Sequence, residues 1–230
     1  MVLFYTENIN NNQAEFDAGE SKHIQQALRK SQGDSMHFVD GNGKFYEGRI
    51  IVNNKKSVIA EILTVKNEAE RSFKIHIAIA PTKNMDRIEW FVEKSIELGI
   101  DEISFIKTKH SERKVIKLDR IKRIAVAAMK QSLKATMPVI NELKNFEEWI
   151  ESQKNGGFIA CLNENTVPLF GVLNPKEDVI ICIGPEGGFR DSEVKNAIQH
   201  NFKPVSLGQY RLRTETAGIY SVAQIHLKND

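Results

Sequence analysis

The sequence predicts an α/β protein: a small β-barrel-like module followed by a mostly parallel sheet with helices on both faces. Three observations predict it. Residues 1–70 read as short strands punctuated by turn signals, residues 66–71 form a polar stretch with the character of a linker, and from residue 73 onward strand-like and helix-like segments alternate. Such alternation buries a parallel sheet between helical layers. The expected division is residues 1–70 and residues 71–230.

In the first part, residues 21–30 suit a short helix, and Ser21 offers a hydroxyl for its N-cap. A strand is expected at 35–40. A Gly-Asn-Gly turn from Gly41 leads to a strand at 45–52, and a second turn at 53–56 leads to one at 57–65. In the second part, the apolar, β-branched run 73–80 reads as a strand. Residues 86–98 carry Ile88, Phe91, Val92 and Ile96 at helical spacing, and Gly99 suits the left-handed position just past a helix end. A strand at 103–107 precedes a helix at 118–134, with Leu118, Ile121, Ile124, Ala125 and Ala128 on one face and Pro138 beyond its end. Strands follow at 158–162, 179–183 and 204–207, and helices at 191–200 and 214–228. Trp90 and Trp149, in helical contexts, are expected in the core.

Composition narrows the class. Apolar runs such as 179–183 fall far short of the roughly 20 residues that span a bilayer, and the first residues lack a basic and apolar leader. Cys161 and Cys182, the two cysteines, lie in strand-like runs and are expected as buried free thiols in a reducing cytoplasm; a metal site would need more ligands at close spacing. The net charge of +2 argues against a generic nucleic-acid coat. One segment departs from neutrality: Lys107, Lys109, Arg113, Lys114, Lys117, Arg120, Lys122 and Arg123 are opposed only by Glu112 and Asp119. A solvated face and an RNA contact are both compatible with such a run.

Two glycine-containing loops follow predicted strands, where ligands sit in open α/β sheets. The first runs Ile-Gly-Pro-Glu-Gly-Gly-Phe from Ile183 and continues through Arg190 to Glu193, with Asp191 or Ser192 as candidate caps of the next helix. The chain contains neither a P-loop nor a dinucleotide fingerprint, so a phosphate cradle is not indicated, and a plain strand-to-helix turn remains open. The second runs from Ser206 through Leu207, Gly208, Gln209, Tyr210, Arg211, Leu212 and Arg213 to Thr214, Glu215, Thr216 and Ala217. Capping accounts for Thr214 and Glu215. It does not account for Arg211 and Arg213, because cations are disfavoured at a helix N-terminus; an anionic or electron-rich partner is implied.

These two loops together resemble the paired signature of the SPOUT methyltransferases, and more closely the 16S ribosomal RNA (uracil-N3)-methyltransferase family, RsmE. Lys22-His-Ile, Ala27-Leu-Arg-Lys, Gly33-Asp and Asp40-Gly-Asn-Gly resemble its PUA-like N-terminal domain. Ala80-Pro-Thr-Lys, Asp86-Arg, Glu93-Lys and Glu97-Leu-Gly resemble its first catalytic-domain helix, and Ser111-Glu-Arg and Gln131-Ser with Pro138 its middle segment. Lys130 stands where an acidic residue is expected, and Lys134 where arginine is common.

The resemblance implies a trefoil-knotted methyltransferase domain behind the PUA-like barrel. It implies a homodimer whose active site uses both chains, and S-adenosylmethionine bound in a bent form largely through backbone groups. The implied substrate is N3 of a uridine in 16S rRNA of the small ribosomal subunit, in the cytoplasm, with no metal and no membrane. On matching positions, Leu162, Ile183, Gly184, Pro185, Glu186, Gly187, Gly188, Leu207, Gly208, Leu212, Thr216 and Ala217 are implied at the cofactor. Lys22, Arg29, Lys30, Arg113, Lys114, Lys134 and Arg211 are implied at RNA. Arg213 is the candidate for steadying charge on the uracil, and Glu215 either orients that arginine or accepts a proton. Glu186 either faces the sulfonium or braces its loop. His23 and His110 are expected at the surface, with a place near RNA as the alternative. A different SPOUT target (a ribose 2′-hydroxyl or a tRNA guanine) and an inactive RNA-binding assembly protein are the competing readings.

Overall fold

Asp40 shows how the first turn is made: its carboxylate accepts from the Asn42 and Lys44 amides at 2.8 and 3.2 Å and from the Tyr46 hydroxyl at 3.0 Å. That turn joins two strands of a six-stranded sheet. In chain order the strands are β1 (Leu3–Tyr5), β2 (Ile9–Asn10), β3 (Gln13–Phe16), β4 (Ser35–Val39), β5 (Lys44–Asn53) and β6 (Val58–Asn67). Their spatial order is β1-β4-β5-β6-β3-β2, antiparallel except for β1 against β4. Alternate residues point inward, so Phe4, Phe16, Phe38 and Ile50 fill one core, with Phe16 edge-on to Phe38 and Phe38 stacked on Tyr46. The computed structural model describes residues 1–54, 57–162 and 166–230; of the turn expected at 53–56, Lys55 and Lys56 lie outside the described residues.

The helix expected at 21–30 starts earlier. α1 (Ala18–Lys22) is capped by Asp17, which accepts from the Glu20 amide at 2.8 Å, and runs into a π-helical turn at His23–Ala27. Ser21 does not cap it. Its buried hydroxyl donates to the Phe16 carbonyl and accepts from the Val58 amide, each at 3.0 Å, clamping the helix to the sheet. Arg29, at φ +51°, ends the run.

The second sheet has seven strands: β7 (Ile75–Ile79), β8 (Glu102–Lys107), β9 (Val139–Asn145), β10 (Gly157–Ala160), β11 (Val167–Pro168), β12 (Val179–Ile183) and β13 (Phe202–Ser206). The order is β11-β13-β10-β12-β7-β8-β9, with every neighbouring pair parallel. The helices are α2 (Met85–Leu98), α3 (Leu118–Gln131), α4 (Phe146–Glu151), α5 (Leu169–Val172), α6 (Asp191–Gln199) and α7 (Thr214–Asn229). Phe146, Trp149, Val194 and Ala197 of α4 and α6 pack on Ala78, Ile159 and Cys182. α2 and α7 pack together beside Ile79, so closely that a Cβ on Gly218 would stand 2.5 Å from the Phe91 ring.

Gly99 ends α2 in the left-handed conformation, as expected. The helix expected at 118–134 ends at Gln131, because Leu133 takes φ +56°. β9, β11 and α5 were not foreseen, and α4 only as a helical context at Trp149. Trp149 is buried, but Trp90 is 46% exposed, since it lies off the stripe of Ile88, Phe91 and Val92.

Two compact units result: Met1–Glu70 with Val126–Met137, and Arg71–Ala125 with Pro138–Asp230. The single cut expected after residue 70 misses the return of Val126–Met137. In that segment Gly43 donates to the Ala135 carbonyl (3.1 Å) and Met137 to the Gly41 carbonyl (2.8 Å), the Glu68 carboxylate accepts from the Thr136 hydroxyl (2.6 Å), and Lys130 pairs with Glu20.

Candidate functional site

Because β12, β10 and β13 are parallel neighbours, the loops leaving their C-terminal ends emerge side by side. Between them lies a cavity of about 520 Å³. Its walls are residues 160–162 after β10, residues 183–189 after β12, and Leu207, Gly208 and residues 210–214 after β13; Arg87, Val194 and Ala217 close it from α2, α6 and α7.

Each loop is held by named bonds. Gly188 donates to the Pro185 carbonyl at 2.8 Å, closing a tight turn at φ +70°. His110 places Nδ1 at 3.2 and 3.1 Å from the Gly187 and Gly188 carbonyls, so this nitrogen carries the proton; Arg190 Nε approaches His110 Nε2 at 3.5 Å. Glu193, almost fully buried, accepts from the Arg190 amide (2.7 Å) and the Lys109 amide (2.9 Å). This makes Arg190 the cap of α6, in place of the expected Asp191 or Ser192. Thr214 does not cap α7 either: Arg213 holds that position, and the Thr214 hydroxyl donates to the Gly184 carbonyl at 3.0 Å. One loop is thereby tied to the other.

The chemistry of the walls is mixed. Leu162, Ile183, Leu207, Leu212 and Ala217 present apolar surface. At Gly188 and Gly208 a Cβ would meet nothing within 4 Å, and both glycines sit at positive φ, so bare backbone faces open space. Three arginines line the cavity: Arg87, Arg211 and Arg213. Arg211 donates to the Glu186 carbonyl at 3.0 Å. The Glu186 carboxylate accepts from the Lys83 amide at 3.1 Å, which is the loop-bracing role. Arg213 is exposed and makes no side-chain hydrogen bond or ion pair among the described residues.

Eleven of the twelve positions expected at a cofactor line this cavity; Thr216 is exposed outside the lining. Glu215 is 6% exposed. It pairs with Arg87 (Nε to Oε1 3.7 Å) and not with Arg213, and its Oε2 is buried without a hydrogen-bond partner. Of the residues expected at RNA, Lys22, Arg29 and Lys114 are exposed, Lys134 is half-buried, and Lys30 donates to the Ser35 carbonyl at 2.7 Å. Arg113 is engaged, donating to the Thr82 and Lys83 carbonyls at 3.3 and 2.6 Å, and Arg120 pairs with Glu89. Cys182 is buried as expected, and burial pushes its thiol pKa up; Cys161 is only half-buried and lines the cavity. Arg87, Phe189 and Tyr210 were missed. Tyr210, 82% exposed on the cavity's lip, was legible as an aromatic between the loop's glycine and its arginines. Arg87 carried no signal in the helical pattern.

Residues 69–226 match the RNA methyltransferase domain family, and residues 16–63 match the RNA methyltransferase PUA domain family. Ribosomal RNA small subunit methyltransferase E of Mesomycoplasma hyopneumoniae is 31% identical over 77% of this chain and 79% of its own length. The crystal structure of a probable rRNA-methyltransferase from Porphyromonas gingivalis superposes with a TM-score of 0.92 at 39% identity, covering 100% of this chain and 98% of that one. A ribosomal RNA small subunit methyltransferase E from Neisseria gonorrhoeae, bound to S-adenosyl methionine, superposes with a TM-score of 0.86 at 25% identity, covering 100% and 98%. The parallel α/β sheet and the PUA-like barrel expected from the sequence are thus those of known enzymes, and the chain belongs to the RNA methyltransferase family that includes ribosomal RNA small subunit methyltransferase E.

Proposed function

We propose that this protein methylates N3 of a uridine in 16S rRNA of the small ribosomal subunit, using S-adenosylmethionine, as a cytoplasmic homodimer with the SPOUT trefoil knot. The observation that carries the reading is the cavity: bare glycine backbone and apolar walls on one side, unpaired Arg213 on the other. A volume of about 520 Å³ suits a small-molecule ligand. The lack of a phosphate motif suits a cofactor without phosphate.

When bound, S-adenosylmethionine supplies an electrophilic methyl group on a sulfonium. Gly184, Gly187, Gly188 and Gly208 let backbone groups approach it closely, while Leu162, Ile183, Leu207 and Leu212 exclude water. Uridine N3 bears a proton and is a poor nucleophile until that proton leaves to solvent. Its lone pair then forms the new N–C bond. Arg213, without a side-chain partner among the described residues, steadies the negative charge that spreads onto the uracil oxygens. Exposed Lys22, Arg29 and Lys114 supply phosphate contacts that fix register. Trp90 on α2 and Tyr220 on α7, each 46% exposed, offer apolar surface for a second copy to cover.

The test is to incubate the protein with labelled S-adenosylmethionine and 30S subunits, free 16S RNA or tRNA, then digest and identify the labelled nucleoside. N3-methyluridine in 16S rRNA is expected. Label on a ribose or on a guanine overturns the assignment.

A further inference from the structure

The ion pair between Arg87 and Glu215 spans two helices that the sequence separates widely, yet it borders the cavity directly. Arg87 lies in the first turn of α2 and contributes to the wall; Glu215 lies in the first turn of α7, immediately after Arg213 and Thr214. The contact uses one edge of the guanidinium: Nε faces Glu215 Oε1 at 3.7 Å. Among the described residues no hydrogen bond engages the two terminal amino groups of Arg87, and its side chain keeps 36% of its surface open. Glu215 is held in the opposite condition, with its side chain 8% exposed and Oε2 sealed from solvent. A buried carboxylate is costly without a cation, and Arg87 is the cation that faces Glu215, at ion-pair and not hydrogen-bond distance. Glu215 therefore biases the Arg87 guanidinium toward the α7 end of the cavity, leaving its terminal amino groups to face the other way.

We infer that Arg87 is a catalytic residue of this site, its free fork receiving a carbonyl oxygen of the target uracil as N3 loses its proton, and that Glu215 is the positioning residue behind it. This rests on the proposed uridine-N3 reaction. The base and the carboxylate of the cofactor, as partners of Arg87, differ in what the pair gains during the reaction. Arg87 and Glu215 together carry no net charge, so they attract a neutral uracil weakly and gain most as charge develops on its oxygens. A cofactor carboxylate is charged before and during the reaction, so it would gain equally in both states, which does not accelerate the step. The bookkeeping is that of a simple displacement. The N3–H bond breaks with its proton released to solvent, the N3 lone pair forms the bond to the methyl carbon, and the carbon–sulfur bond breaks with its electrons staying on sulfur. Arg87 neither gains nor loses a proton.

Single-turnover methylation of 30S subunits by the full-length protein tests this, using Arg87→Ala, Arg87→Lys and Glu215→Gln across the neutral to alkaline range, with S-adenosylmethionine affinity measured alongside by calorimetry. Arg87→Ala should slow the step by about 100-fold, the usual cost of removing one preorganised donor, while changing cofactor affinity by less than about twofold. Its rate should need higher pH to rise, because the uracil anion has lost a stabilising donor. Glu215→Gln should move the pH profile in the same direction by a smaller amount. If Arg87→Ala fails to fold, Arg87→Lys decides alone: a slow step at unchanged cofactor affinity supports the assignment, and a wild-type rate overturns it. A parallel loss of cofactor affinity would reassign Arg87 to the cofactor carboxylate, and an unmoved pH profile would reduce the pair to a helix brace; either outcome sinks the inference. Failure of the wild-type protein to produce N3-methyluridine would instead strike the uridine reading itself.

Discussion

The Thr214 hydroxyl donates to the Gly184 carbonyl oxygen at 3.0 Å, so the first turn of α7 and the exit of β12 are one rigid corner of the cavity. Thr214→Val keeps the shape and removes the donor. The half-buried carbonyl left behind should cost about 1 kcal/mol of stability. The proposed cofactor should bind several-fold more weakly, because both loops are freed together. Thr214→Ser should restore both. Calorimetric binding and thermal melts check this; unchanged affinity in the valine variant would show that the corner holds without the bond.

His76 makes a pH-dependent contribution to stability. Its Nε2 lies 2.8 Å from the Ser104 hydroxyl, which also accepts from Asn141 at 2.9 Å, and the ring is packed edge-on to Trp149. Burial pushes its pKa below the ordinary 6.5, while Glu102 at 3.6 Å pulls weakly the other way. A lowered folded pKa means the unfolded chain takes up the proton first. The stability is therefore complete above pH 6.5 and is lost as pH falls below it. The unfolded chain's extra proton uptake gives the stability a positive slope with pH there, and His76→Gln should abolish that share. Urea midpoints across the acidic range measure it; equal slopes in the two proteins would refute it.

Gly218 is where α2 and α7 touch. An added Cβ would meet the Phe91 ring at 2.5 and 2.8 Å, and Ile79 at 3.2 Å. Gly218→Ala should destabilise by about 1–3 kcal/mol through overpacking. It should also slow methylation, since the same helix contact sets the Arg87–Glu215 distance. Gly171→Ala, where a Cβ meets nothing within 4 Å, is the control and should leave both nearly unchanged.

The ion pair between Lys130 and Glu20 is mostly buried on both sides, and Glu20 Oε2 has no partner. Lys130→Ala should cost about 2–4 kcal/mol by stranding the carboxylate, and adding Glu20→Gln should recover much of that loss. Denaturant unfolding of the two single variants and the double variant closes the cycle; additive losses would mean the pair contributes little.

The legible parts of the sequence were those with a local cause. Val179–Ile183 is an unbroken apolar run ending at Gly184, and it forms a strand over just those residues. Gly99 announced the end of α2 because only a left-handed residue continues the chain there. β9 stayed hidden because Val-Ile-Asn-Glu-Leu-Lys-Asn has neither a long apolar run nor a strict alternation, as suits a half-exposed edge strand. Ser21 and Thr214 looked like helix caps, since a hydroxyl before a helix commonly is one; both are spent on distant backbone instead. At the site, glycines and arginines marked the loops, but the partner of Glu215 did not show. Arg87 reaches it across a helix contact made possible by Gly218, and nothing adjacent to either residue encodes the meeting. Lys130, conspicuous as a departure from family pattern, is answered by Glu20 far along the chain.

The placement of β12 between β7 and β10 bears on how the molecule is made. Ile77 waits for Ile181, roughly a hundred residues later in the chain, before its open edge is paired. During translation, β7 and β8 emerge first and cannot complete their sheet, so the ribosome carries a nascent chain with an exposed apolar edge for seconds. All three loops that wall the cavity belong to this last-delivered third. The working site therefore comes into being only after synthesis has nearly ended, and truncated chains should be insoluble and inert.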